Sequence, residues 1–403
     1  MKLLFILFFI FSIDSRAEKS IVAVGEASLE KHVLAINVDK NCQCDDLVKV
    51  IKSDFSFYKN VISLSSENAG ATVLISRDTE LAPIKVTYDG DSVLFNQDNG
   101  LRRQAHQVSN FIYKKLIGRE SIFNSKIVFI SDQGINKLNQ KSKQLFIADF
   151  DGFNSQQITS DVGHVLSPAI SNDGKVVAYS LIKPEKKNKN VQLYIVDVET
   201  KKSTLVSNLK GINSGAVFLP GDKELVLTLT HSGNAEIYKL NLITKKIIPL
   251  TNHWAADVDP SVSPDGKKVA FLSSRPGKPM IYLMDLNGVE KGVKRVSFIG
   301  KFNATPRFSP NGRDIIFSSW LDQRFDLFRV SIDGNNLTRL TKDFGSNEDP
   351  TYSPDGELVA FTSQRIISEK KDVKNIYIMS KDGEILSQVT KDLGKCQSPR
   401  WSK

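Results

Sequence analysis

The side chains of this 403-residue chain most able to do covalent, metal or proton-transfer chemistry are Cys42, Cys44 and Cys396 and the histidines His32, His106, His164, His231 and His253. Such chemistry needs them in sets. A zinc hydrolase needs two histidines a helical turn apart beside a glutamate, acyl transfer a serine on a glycine-flanked elbow, and phosphate binding a glycine-rich loop. None of these patterns occurs, nor do cysteines and histidines at zinc spacing. No catalytic residue, metal or cofactor is therefore expected. His106 falls beside the apolar stripe of a helical segment, where packing or hydrogen bonding is its expected role. Asp257 and Asp259 stand close together, but no base of evident role accompanies them.

The elements that must position any site form a repeat. An apolar residue followed by an aromatic one recurs at Leu145-Phe146, Leu193-Tyr194, Ile237-Tyr238, Ile281-Tyr282, Leu327-Phe328 and Ile376-Tyr377. The interval is about 44–49 residues, which is the size of a propeller blade. A β-branched and apolar run precedes each pair, at 127–131, 176–180, 225–230, 269–274, 315–319 and 358–363. A short strand ending in Thr or Ser follows it. A fourth segment starts at Pro168, Pro260, Pro306, Pro350 and Pro399, with Ala216 replacing proline in the third unit. Four strand-length segments separated by turn residues make one blade.

In Ser263-Pro264-Asp265-Gly266, Ser309-Pro310-Asn311-Gly312 and Ser353-Pro354-Asp355-Gly356, proline presets the first turn position and glycine accepts positive φ. These read as hairpin turns, not as a phosphate or metal motif. The second and third units depart, with Ser171-Asn172-Asp173-Gly174 and Leu219-Pro220-Gly221-Asp222.

The first unit has no proline segment ahead of it, and the last proline segment, 399–402, has no blade behind it. The C-terminal strand is thus expected to complete the first blade, giving six closed four-stranded blades without open edges.

Residues 1–17 read as a signal peptide: Lys2, an apolar run over 3–13 too short to span a bilayer, and small residues suiting cleavage after Ala17. Residues 18–124 lack the repeat and read as a small mixed α/β domain, followed by the propeller over 125–403. Strands are expected at 33–38, 61–64, 71–77, 84–88 and 92–96, with helices at 45–52 and 101–116. The second helix carries the stripe Leu101, Ala105, Val108, Ile112 and Leu116 and stops at Gly118. Residues 120–124 read as a linker. Export permits disulfides. Cys42 and Cys44 look too close for an unstrained bridge, so a link from this domain to Cys396 and three free thiols both stay open.

The helix over 101–116, Leu101-Arg102-Arg103-Gln104-Ala105-His106-Gln107-Val108 and onward, resembles the last helix of the first domain in the TolB family, periplasmic propeller proteins of the Tol-Pal cell-envelope system. The leader, the six blades and the closing Pro399-Arg400-Trp401-Ser402 follow that family's order of parts over nearly the whole chain. Asn41-Cys42-Gln43-Cys44 has no counterpart in the resemblance.

The resemblance implies a non-catalytic periplasmic adaptor that supports outer-membrane integrity and envelope constriction during division. It implies that the peptidoglycan-associated lipoprotein Pal docks on the channel rim, a surface that colicins, and other outer-membrane proteins, can also use. Carried over by position, the rim residues are Ile212, Asn213, Gly215 and Val258, with Asp257, Asp259, Asn303, Thr305, Glu348 and Asp349 as neighbours. It also implies that the mature N-terminus, Glu18, Lys19, Ser20, Ile21 and Val22, contacts a TolA-like membrane protein.

The net charge of +9, with lysine-rich stretches at 183–189 and 370–374, reads as solvated blade loops. No groove-reading motif accompanies them, so nucleic acid is not an expected partner, and a monomer is expected. The alternative reading is a propeller hydrolase or lyase working in the channel mouth through carboxylates such as Asp257 and Asp259. A glycan-binding module would need aromatic platforms there, for which Trp254 and Trp320 are the available tryptophans.

Overall fold

The computed structural model describes residues 31–402 except 67–68, 80–81, 97–99, 185–189 and 369–370. The expected leader and residues 18–22 lie outside the described residues. Among the described residues, no helix is long and apolar enough to cross a membrane.

The first part of the chain runs β1 (His32–Val38), α1 (Asp45–Ser56), β2 (Ile62–Leu64), β3 (Ala71–Ser76), β4 (Ile84–Tyr88), β5 (Asp91–Phe95) and α2 (Leu101–Ile117). Its sheet has the order β2-β1-β3-β4-β5, with β1 parallel to both neighbours and the remaining pairs antiparallel. Helix α1 runs past its expected end at residue 52, because Phe55 prolongs the buried stripe of Leu47, Val48 and Ile51. In α2 the stripe holds at Ala105, Val108 and Ile112, while Leu101, in the first turn, is exposed. Gly118 ends α2 in the left-handed conformation, where a Cβ would be strained, and donates its N–H to the Lys114 carbonyl.

The rest forms six four-stranded antiparallel sheets arranged as blades. The second to sixth inner strands are His164–Ile170, Asn213–Phe218, Asp257–Val262, Asn303–Phe308 and Ser346–Tyr352. Blade one takes its inner strand from the C-terminus: Cys396–Trp401 pairs antiparallel with Lys126–Ser131, Trp401 facing Ile127 in register. The closure expected from the repeat is therefore present. The proline turns are hairpin turns as well: Ser263, Ser309 and Ser353 each donate a hydroxyl hydrogen bond of 2.6–2.7 Å to the Asp or Asn two residues on.

Residues 120–124 are not a free linker. Ile122 and Phe123 are buried, and Phe123 packs edge-on against Phe55 and Tyr58 and tilted on Phe150. The same apolar cluster continues into Ile127, Leu358, Ile376 and Trp401, so the α/β part and blades one and six share one core. Polar contacts complete this junction: Tyr58 donates to Asp355, Arg119 pairs with Glu357 at 2.7 Å, and Lys59 with Glu384. Asp355, Glu357 and Glu384 sit in blade turns at the strand ends opposite those that carry the channel-rim loops. The α/β part thus covers the face away from the rim.

The cysteines correct the sequence expectation. Cys42 and Cys44 form a disulfide with their Cα atoms 5.2 Å apart, inside the span a bridge allows. Gln43 between them takes a left-handed φ of 49°, a sharp turn that alternating extended backbone would not make. Cys396 is free and buried, so the cross-link to the first domain does not form. Burial pushes its thiol up to about 12, which leaves almost no thiolate at neutral pH. We expect the native protein to resist iodoacetamide for hours and to gain one adduct per chain only after unfolding; rapid native labelling would show that the closing strand opens locally.

Candidate functional site

Each inner strand carries the same irregularity near the channel mouth. The residue before the proline position has positive φ in all six blades: Ser167 (47°), Gly215 (61°), Asp259 (53°), Thr305 (50°), Asp349 (54°) and Ser398 (55°). The ladder to the second strand slips at each of these points, as a β-bulge does. In five blades the next residue is proline, whose missing N–H a bulge accommodates, but blade three keeps the same bulge with Ala216, so the bulge belongs to the repeat and does not depend on proline. Only Gly215 adopts this backbone without steric cost, and each of the others bears roughly 1 kcal/mol of it. Recurring once per blade, the bulge is a property of the repeat, and it sets six backbone positions around one opening.

These six residues line a cavity of about 240 Å³ at the channel mouth. Ile212 and Val258 line it too, Ile212 being 44% exposed. Thr305 shares a 3.0 Å hydroxyl contact with Ser318, Ser398 donates to Asp349 at 2.9 Å, and Arg307 approaches Asp259 at 3.4 Å. Glu348 lies outside the cavity lining and is half-buried; burial raises its carboxyl above the usual range, with Lys374 at 3.9 Å opposing.

Asn213, Asp257 and Asn303 are read from the sequence as rim residues, and the structure places all three behind it, with no exposed surface. Asn213 ties its loop together, donating to the Val191 and Leu209 carbonyls and accepting from Ser207 and the Leu209 N–H. Asp257 is paired with Arg275 at 2.7 Å, and Asn303 donates to Ser297 at 2.6 Å. Strict alternation would put residues 213 and 215, or 257 and 259, on one face. The bulge rotates the chain between them, so the second faces the channel and the first is turned into the blade.

Around the cavity the rim exposes large apolar side chains. Trp254 is 78% exposed on the loop into blade four, Phe298 67% exposed on the loop into blade five, and Ile366 81% exposed on blade six. Phe302 and Trp320 pack edge-on about Phe325 at the end of blade five. Phe298, Phe302, Ile366 and Ile367 are absent from the sequence reading. Part of that set stands on an overlong hairpin, whose strands Leu358–Ser368 and Lys371–Ser380 have 11 and 10 residues where the others have six to eight at the same place. The length of blade six was the available signal.

One group among the described residues has the atom types of a metal site: Asp54 on α1, His106 on α2 and Asp151 in a blade-one turn. His106 Nδ1 lies 2.9 Å from Asp54 and Nε2 3.3 Å from Asp151. Burial alone would lower the histidine, but hydrogen bonds to Asp151 and Asp54 outweigh it and raise it to about 9. The ring is thus protonated at neutral pH, and its two nitrogens face the two carboxylates. Ser109 also donates to Asp54, and Arg102 to Asp151. This is a buried cationic bridge joining the two parts of the molecule, and hydrogen bonding was its expected role.

The family described as the TolB beta propeller domain matches residues 113–403. The Tol-Pal system protein TolB of Francisella tularensis subsp. holarctica is 27% identical over 321 residues, which is 78% of this chain and 71% of that protein. A crystal structure of TolB from Acinetobacter baumannii superposes with a TM-score of 0.74 at 24% identity, over 93% of this chain and 98% of the other. A putative TolB from Agrobacterium tumefaciens gives 0.52 at 20% identity, over 67% and 90%.

Proposed function

This chain belongs to the TolB β-propeller family, and we propose that it acts as a non-catalytic periplasmic adaptor of the Tol-Pal system, docking a Pal-like lipoprotein on its channel rim. The observation that carries this reading is the rim itself: a cavity ringed by six left-handed backbone positions and bordered by exposed Trp254, Phe298 and Ile366. Large apolar side chains held out on loops around a concavity are what protein interfaces use as anchors. The carboxylates on which a hydrolase or lyase reading would rest are otherwise engaged, Asp257 buried against Arg275 and Asp259 beside Arg307. In this proposal residues 18–22 meet a TolA-like protein.

The test is calorimetric titration with the periplasmic domain of the cell's own Pal-like lipoprotein. Trp254→Ala and Val258→Ala should each weaken binding about tenfold or more, on the order of 1.4 kcal/mol or above, Trp254→Ala with no loss of thermal stability and Val258→Ala with a small one, since Val258 is partly packed against the blade core. Asn213→Ala should lower stability as well as affinity, since it removes loop-tying hydrogen bonds rather than a contact. A wild-type protein that folds but does not bind would sink the proposal.

A further inference from the structure

The residue after the proline position of each inner strand is small or uncharged in four blades, Ala169, Val217, Ser261 and Thr351, and arginine in two, Arg307 of blade five and Arg400 of blade one. The two blades flank blade six, so the guanidinium groups come into the same cavity from either side of it. Arg400 is 8% exposed and, among the described residues, has no carboxylate within salt-bridge distance; its Nη1 donates to the Pro399 carbonyl at 2.7 Å. Arg307 donates to the Pro306 carbonyl at 2.6 Å and, through both Nη atoms, to one Asp259 oxygen at 3.4 and 3.5 Å, so it is partly paired and its contacts are long. The Nε of each is buried without a hydrogen-bond partner.

A buried guanidinium with an unmet N–H and a like charge nearby is costly, by several kcal/mol when nothing compensates it. The cost shows in its acidity: burial, with Arg307 adding to it, pulls Arg400 down to about 9. Asp259 and Asp349 line the cavity and offset the charge at longer range, but neither pairs with Arg400. What would meet the Arg400 fork and supplement the long Arg307–Asp259 contacts is a planar or tetrahedral oxyanion, since guanidinium matches carboxylate and phosphate oxygens geometrically. The cavity has room for one small group of that kind.

We propose that the channel mouth binds one oxyanion between Arg400 and Arg307, supplied in the assembled complex by a carboxylate side chain of the protein docked on the rim. The site itself stands on the arginines and the cavity; only the source of the carboxylate rests on the adaptor reading.

The test compares sodium formate and sodium phosphate with sodium chloride at equal ionic strength, following the thermal midpoint and heat of binding of the full mature chain. In wild type, formate or phosphate should raise the midpoint by several degrees, saturably. Arg400→Met should abolish the rise and, in chloride, be no less stable than wild type, because an apolar isostere replaces an unpaired buried charge. Arg400→Lys keeps the charge but loses the fork and should bind at least tenfold more weakly. If Arg400→Met does not fold, Arg307→Met asks the same question from blade five.

Titration of the Pal-like domain then separates the sources. A tenfold or greater loss of affinity in Arg400→Met, with phosphate competing in wild type, assigns the anion to the partner's side chain. An anion response without any effect on partner binding assigns it to a free oxyanion and overturns the carboxylate source. Equal responses to formate, phosphate and chloride, or the same response in wild type and variants, would mean that water meets these arginines and would overturn the site. Should the partner fail to bind wild type at all, the adaptor reading falls while the anion titrations still decide this one.

Discussion

Deleting residues 396–403 leaves a chain that does not form a stable propeller. The deleted segment holds the inner strand of blade one, and without it Lys126–Ser131 presents an unpaired edge to the channel while its neighbours lose their packing. Trp401 adds a second link, since it is buried in the core shared with the α/β part and its indole N–H donates to Ser125 at 2.7 Å, 276 residues away in the chain. The single change Trp401→Ala should cost about 3–5 kcal/mol, from lost burial and the cavity left behind. Urea unfolding followed by circular dichroism measures the point variant, and limited proteolysis the truncation. A truncated protein as protease-resistant as the full chain would show that five blades and a three-stranded sixth are self-sufficient.

Replacing His106 by alanine should be nearly as damaging. It strips the proton-carrying ring from between Asp54 and Asp151, leaving Asp54 buried with only the Ser109 hydroxyl and Asp151 with Arg102. Removing one member of a buried ionic set typically costs about 3–5 kcal/mol, because the remaining charge stays desolvated. The pH dependence has a definite sign. The folded histidine is raised to about 9 from an ordinary value of 6.5, so it binds its proton more tightly in the folded protein. Its contribution is complete below about pH 6.5 and is lost as the pH rises through about 9, amounting to roughly 3 kcal/mol. Denaturant unfolding at pH 7 and pH 9.5 should show a loss of that order in wild type and little change in His106→Gln. Parallel curves for the two proteins would remove His106 as its source.

The α/β part is thus docked by a charge bridge as well as by the Phe123 cluster, on the face away from the rim. An influence of the described α/β part on the rim would pass through this junction. The closing strand belongs to both, since Trp401 packs in the shared core and Ser398 and Arg400 line the cavity. That strand is where coupling between the two surfaces is physically available.

How much could be read beforehand follows from the range of each interaction. Blade count, strand order, the Ser-Pro-Asp-Gly turns, the Gly118 stop and the C-terminal closure were all legible, because turn chemistry and alternation act between residues a few positions apart and the repeat displays them six times. The reach of α1, the buried linker residues and the burial of Asn213, Asp257 and Asn303 were not, because each depends on what packs against the segment or on a bulge that breaks the alternation rule.

The sequence by itself determined a six-bladed closed ring behind a small α/β part, through local rules repeated often enough to be unmistakable. Tertiary structure alone decided that His106 stands between two carboxylates from different parts of the chain, that Cys42 pairs with Cys44, and that Arg307 and Arg400 share one cavity. Those outcomes depend on distances across the closed ring and its junction, and a chain has no such distances until it folds.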